Sequence, residues 1–196
     1  VGGNKGINRY NSFGCENSWV VNYFKLKDNL WNSDLDPGNK KTDALRNFLF
    51  DAGITNSKKA FQPFGEIIET LGLNSITSWA LIMCNLVYSG ALNWWIKNIT
   101  PDVNYTIEHI KSLLMNNLTP SSSDHVADAF KNIFISNPIL GKDLGIGVCD
   151  YTLKKDKRTL NTVYRTKWLQ PDPRVILYSL YKFAEACGDY YQFTLA

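Results

Sequence analysis

Apolar residues along this chain of 196 recur mostly at helical spacing, and the clearest run lies past its middle. Ile107, Ile110, Leu113 and Leu114 fall on one helical face. Val126, Ala129, Phe130, Ile133 and Phe134 follow an i, i+3, i+4, i+7, i+8 order, one apolar stripe of a 3.6-residue period. Between the two stripes, Thr119 before Pro120 fits an N-cap with proline at the first helical position. Ser121 with Asp124 three residues later is the competing cap. After a glycine-rich turn, residues 146–153 and 159–168 are rich in β-branched and aromatic side chains and bracket the basic run 154–158. This order predicts a C-terminal winged helix-turn-helix with a small β-hairpin wing.

The rest of the chain reads as helices. Thr42 is placed to cap a helix with inner face Leu45, Phe48, Leu49 and Ala52, and Gly53 fits its left-handed end. A further helix carries Phe64, Ile67, Ile68 and Leu71 and stops at Gly72. Pro173 starts a last helix, with Ile176, Leu177, Leu180, Tyr181 and Ala184 expected inside and Gly188 at its end. Near the start, Trp19, Val20, Tyr23, Phe24, Leu26, Leu30 and Trp31 fit one short amphipathic helix.

Residues 70–96 carry no charge. The stretch from Ile76 to Ile96 has the length of a bilayer span of about 20 residues, with Trp94, Trp95 and Lys97 as an interfacial anchor. Thr77, Ser78, Asn85, Ser89, Gly90 and Asn93 interrupt it, and Ser89-Gly90 suggests two shorter helices, about 75–88 and 91–98. The reading taken is the buried centre of a soluble helical domain with no membrane partner. The chain is thus expected to be mainly α. A poorly periodic segment 1–34, a helical part 35–104 and a winged-helix-like part 105–196 would form one compact unit.

Charge changes this picture in one place. Lys154, Lys155, Lys157, Arg158, Arg165 and Lys167 share their segment with one acid, Asp156, while the whole chain is only +3. Such a cluster can neutralise phosphates. His125, Lys131 and Asn132 on the second helix are the candidate base contacts, beside Asp124 and Asp128, which would oppose them. A solvated hairpin turn explains the same charges without nucleic acid.

Candidate chemistry is sparse. Cys15, Cys84, Cys149 and Cys187 form no CxxC pair, and His109 and His125 lie away from all four. No metal and no cofactor is expected, and the thiols read as reduced residues of a cytoplasmic protein. Cys149 with His109 is conceivable as nucleophile and base, but nothing in the sequence places them together. The sequons Asn98-Ile-Thr100, Asn104-Tyr-Thr106 and Asn117-Leu-Thr119 would accept glycans only in a secreted protein. No P-loop, HExxH or GxSxG motif occurs, so catalytic activity is not expected. The chain begins with Val1, which leaves room for an upstream domain.

The run from Leu35 through Lys40-Lys-Thr-Asp-Ala-Leu-Arg46 to Phe50-Asp-Ala-Gly-Ile54 resembles a segment of a bacterial family of uncharacterised proteins. The likeness continues in order at Ser78-Trp-Ala-Leu-Ile82, Ala91-Leu-Asn-Trp-Trp-Ile96, residues 122–134, Leu144-Gly-Ile146 and residues 171–183. It spans residues 35–185. Members of that family are encoded beside, or fused to, phosphoadenosine-phosphosulfate (PAPS)-reductase-like proteins in DNA-modification and phage-defence clusters. The resemblance implies a role beside sulfur-based DNA modification such as phosphorothioation, and it carries over no catalytic residue. The expected function is non-catalytic: DNA binding, or docking that positions a modification or defence enzyme on double-stranded DNA. The alternative is an interaction or regulatory domain of a PAPS-reductase-like sulfotransfer enzyme that does not touch DNA.

Overall fold

The computed structural model describes residues 6–154 and 157–188, except the side chains of Lys154, Lys157 and Arg158. The chain folds mainly into helices, with one two-stranded antiparallel hairpin near its C-terminal end. In order these are α1 (Asn17–Leu26), a 3-10 turn (Lys27–Asn32), α2 (Asn39–Asp51), α3 (Pro63–Leu71), α4 (Ile76–Leu86) and α5 (Gly90–Asn98). Then follow α6 (Ile107–Met115), α7 (Pro120–Ser136), a π turn (Ile139–Asp143), β1 (Val148–Lys154), β2 (Lys157–Tyr164) and α8 (Pro173–Ala186). The uncharged middle is divided at Ser89-Gly90 into α4 and α5. Among the described residues, no helix is long and apolar enough to cross a membrane.

Local signals set the helix ends. The Thr119 side chain accepts from the Ser122 N–H at 3.3 Å, and Pro120 occupies the first turn of α7, so the Thr119 cap prevails over the Ser121 one. Thr106 caps α6 by accepting from the His109 N–H at 3.2 Å. The expected Thr42 cap is corrected. Helix α2 starts four residues earlier, after Gly38 at φ +89°, and Thr42 sits inside its first turn. There its hydroxyl bonds to the Asp36 carboxylate and the Gly38 carbonyl instead. Gly53, at φ +74°, follows α2 as expected.

One cluster of buried side chains runs from Ile7 and Tyr10 through α1, α2, α4 and α5 to α7 and the hairpin. Its centre is aromatic. The Trp95 ring lies 4.7 Å from Phe130 and 4.8 Å from Phe134, and Trp94 stacks on Phe130 at 5.9 Å. Trp95 also donates to the Ile146 carbonyl at 2.8 Å, tying α5 to the chain entering the hairpin. Ile110 and Leu114 of α6 are buried, with Ile107 and Leu113 partly covered.

The hairpin runs nearer its tip than the sequence suggests. The strands cover Val148–Lys154 and Lys157–Tyr164, not 146–153 and 159–168. Past Tyr164 the backbone turns to another partner: the Asp102 N–H donates to the Arg165 carbonyl at 2.8 Å. Tyr105 and Val163 exchange two backbone hydrogen bonds at 2.9 Å, so β2 is paired with the segment leading into α6.

The largest correction concerns α8. Its side against α4 is formed by Val175, which is buried, and by Tyr178, which donates to Asn85 at 2.8 Å. The stripe expected inside faces out: Ile176, Leu177, Leu180 and Tyr181 are exposed, Leu177 by 71 %. Of that stripe only Ala184 is buried.

Phe130→Ala should cost about 3–5 kcal/mol, through lost transfer energy and the cavity left among Trp94, Trp95 and Phe134. Leu177→Ala should cost less than about 1 kcal/mol, because that side chain is already in water. Urea melts of both variants check the pair, and a costly Leu177→Ala would show that α8 faces inward.

Candidate functional site

Helix α7 stands among packed elements. Buried positions appear on more than its predicted stripe, since Ser123 and Ala127 join Val126, Ala129, Phe130, Ile133 and Phe134. The N-terminal segment lies along another side. Gly14 is at φ +63°, and a Cβ there would run into the Ala129 carbonyl of α7, so only glycine permits this approach. The Asn132 amide donates to the Ser12 carbonyl at 3.1 Å, and Ser136 reaches the Cys15 carbonyl at 3.5 Å.

These contacts locate the candidate base contacts. Asn132 is half-buried and its amide is engaged by Ser12. Lys131 is half-buried and paired with Asp128 at 2.6 Å. His125 is exposed near the start of α7, beside Asp124, which pairs with Lys111 of α6 at 2.9 Å. The exposed residues of α7 therefore lie between Pro120 and His125, in the first two turns of a 17-residue helix.

The basic cluster divides. Lys154 and Lys157 pair across the end of the hairpin, and Arg158 follows opposite Leu153. Their side chains, and Lys155 with Asp156, lie outside the described residues. Lys167 is exposed. Arg165 is turned inward. Its Nη1 donates to the Ile96 and Ile99 carbonyls at 2.9 and 2.8 Å, at the C-terminal end of α5. A cation there satisfies two orphan carbonyls and the negative end of the helix dipole. Burial lowers the Arg165 pKa. No periodicity in the sequence separates this arginine from its exposed neighbours.

The hairpin has two faces. Cys149, Leu160 and Val163 close over Trp95, Ile107 and Phe130. Leu153 and Tyr151 are exposed, as are Asp150, Thr152 and Asn161, whose amide bonds to Thr152 at 3.1 Å. The register shifts between Asp150 and Tyr151.

Cys15 is buried, Cys84 and Cys149 half-buried and Cys187 exposed. Burial pushes the Cys84 thiol up to about 11 and the Cys149 thiol up to about 12. Cys15 is raised well above its ordinary value by burial first, then by the nearby Glu16 charge. The Cys149 thiol donates to the Gly147 carbonyl at 3.5 Å, while the His109 ring packs 5.0 Å from Tyr105. Among the described residues no His, Cys, Asp or Glu side chains gather in a set able to hold a metal.

The surface that sequence reading missed is the outer side of α8. Ile176 and Leu180 form one i, i+4 row and Leu177 and Tyr181 a second beside it. A groove of about 620 Å³ adjoins them, walled by Phe64, Ile67 and Leu71 of α3, Leu81 of α4, and Leu177 and Tyr181. Ile67 is 53 % exposed. The stripe was visible in the sequence; only its orientation was not. Compared with protein-family models, characterised proteins and solved structures, the chain finds no significant match.

Two outcomes follow from this geometry. Arg165→Met should cost about 2–3 kcal/mol, since two charge-assisted hydrogen bonds are lost and two carbonyls stranded. Lys167→Met, at an exposed site, should stay within about 0.5 kcal/mol. Equal melts for the two would show that Arg165 is free at the surface. With iodoacetamide at pH 8, Cys187 should be alkylated first, because the other thiols combine burial with raised pKa values. Peptide mapping reads the order, and early labelling of Cys149 would contradict it.

Proposed function

We propose that this chain is a non-catalytic docking domain that pairs with a second copy of itself through α8 and leaves the basic hairpin to contact its target. The exposed apolar rows of α8 carry the reading. A helix apolar on most sides is ordinarily buried, and here the described residues cover only one side. Two adjacent i, i+4 rows are the ridges that another helix packs against.

The charges of α8 favour a second copy over an unrelated helix. Arg174 and Glu185 lie equally far from the midpoint between Ser179 and Leu180. A two-fold axis there, with the helices antiparallel, sets Arg174 of each copy beside Glu185 of the other. A parallel pair would oppose like charges. Both side chains remain exposed, although Arg174 also binds Asp172 at 2.6 Å and Glu185 accepts from Lys182.

Within this proposal, the hairpin holds a polyanion. Lys154, Lys155, Lys157, Arg158 and Lys167 supply the positive charge, and Arg165 supports them from inside. Asn132 and Lys131 are engaged within the fold, which leaves His125 as the exposed candidate on α7, so the contact rests mainly on phosphates, which position without specifying. The family resemblance makes duplex DNA in sulfur-based modification or phage defence the expected target. A PAPS-reductase-like protein is the second reading, favoured by the exposed apolar Leu153 and Tyr151 on the same hairpin.

Light scattering should show a dimer at about 100 µM, a concentration that suits a pair of modest affinity. The double variant Leu177→Glu, Leu180→Glu should be monomeric at that concentration, and at a dilution where the wild type also dissociates the two melts should agree, since both side chains are exposed in one copy. A wild-type monomer at that concentration would refute the pairing. For duplex DNA, three or four phosphate contacts should give a slope of log K against log salt of about −3 to −4. Neutralising Lys154, Lys155, Lys157 and Arg158 together should flatten that slope. Negligible duplex binding at low salt would favour the reductase-like protein instead.

A further inference from the structure

A second surface lies where the N-terminal segment, α2 and the loop from α2 to α3 meet. They enclose a cleft of about 260 Å³ whose wall includes Arg9, Trp31, Arg46, Asn47, Asn56 and Lys59. Among the described residues three cations line it, and no carboxylate does.

Both arginines are held in place by the fold. Arg9 donates from Nη1 to Asp51 at 2.8 Å and from Nη2 to the Asn47 oxygen at 3.2 Å. Its guanidinium lies 5.4 Å from the centre of the Phe50 ring. Asp51 sits behind the wall with a side chain only 4 % exposed, and it also accepts from Tyr10 at 2.6 Å. Arg46 lies 4.6 Å from the centre of the Trp31 ring. Among the described residues its carboxylate contact is Asp43 at 4.0 Å and its buried Nε has no hydrogen-bond partner, and Asp36 feels its charge. Lys59 is exposed at φ +66°, in a loop that Asn56 ties by accepting from the Lys58 and Ala60 N–H groups.

Each guanidinium thus rests on an aromatic ring and keeps N–H groups beyond those its protein partners use. Planar guanidiniums in fixed positions match the oxygens of phosphate, and less entropy is lost on binding than with mobile lysines. Arg9 is balanced by Asp51 from behind, while Arg46 and Lys59 bring positive charge to the open side of the cleft, where an anion would meet it. The volume is slightly below that of ordinary small-molecule sites, about 300–1,000 Å³, so the ligand is small.

We propose that this cleft binds a small phosphate monoester, with Arg9, Arg46 and Lys59 on the phosphate and Asn47, Asn56 and the aromatic edges against the organic part. The site involves no residue of α8 or of the hairpin, so it stands or falls apart from the docking role.

Calorimetric titrations of the whole chain with inorganic phosphate and with ribose 5-phosphate, at matched ionic strength, test it. Ribose 5-phosphate should bind with a Kd of about 1 mM or lower, and more tightly than phosphate. Arg46→Gln and Lys59→Gln should each weaken it about tenfold, the loss expected for a charged hydrogen bond, and Lys59→Gln, at an exposed side chain, should leave the melt unchanged. Lys58→Gln, next to the cleft but outside its wall, should bind as the parent does. Equal affinity for the two ligands would overturn the ester assignment. No heat from either ligand, or equal weakening by Lys58→Gln, would overturn the site.

Discussion

The packing of Trp95 between Phe130 and Phe134 governs the rest of this fold. Two aromatic side chains one helical turn apart on α7 receive a third from α5, and the Trp95 indole N–H then fixes the chain that enters the hairpin. Burial on this scale commits α7 to the middle of the molecule, because each ring removes a large apolar area from water. The hairpin closes on the same cluster through Cys149, Leu160 and Val163. What remains for binding is peripheral: the hairpin tip, the outer side of α8 and the cleft beside α2.

Ionic groups follow the same logic. Where a charge is near the core it is engaged, as Arg165 is by the carbonyls ending α5 and Asp51 by Arg9 and Tyr10. Burial raises the Asp51 pKa, while the Tyr10 hydrogen bond and the Arg9 charge act against that rise. These pairs anchor the N-terminal segment to α2, and the segment in turn covers one side of α7. Charges with no such duty, including Lys59 and Lys167, are exposed.

The two proposed surfaces differ in chemistry as well as place. The side of α8 is apolar and long, suited to another helix, while the cleft by α2 is small and cationic. Neither needs a nucleophile or a general base. The buried thiol Cys15 and the half-buried Cys84 and Cys149 have raised pKa values, which suits packing and not nucleophilic attack.

By itself the sequence determined most of the helices, the hairpin and several of their ends. The one helix expected over Trp19 to Trp31 is instead α1 followed by the separate 3-10 turn, broken at Lys27, which takes φ +49°. Periodicity of 3.6, the Thr119-Pro120 cap, the glycines after α2 and α3 and the Ser89-Gly90 break are local properties of the backbone, and the structure places these elements there. The core stripe of α7 was legible for the same reason. Tertiary structure alone decided which side of each helix meets another. A stripe records that a helix has an apolar side, not that the same chain covers it, so α8 turned out where it was expected to turn in. It also decided that Arg165 is internal while Lys167 is not, since two residues of equal charge differ only in what folds against them. The cleft was invisible for a related reason: Arg9, Arg46 and Lys59 come from three separate segments and share no spacing.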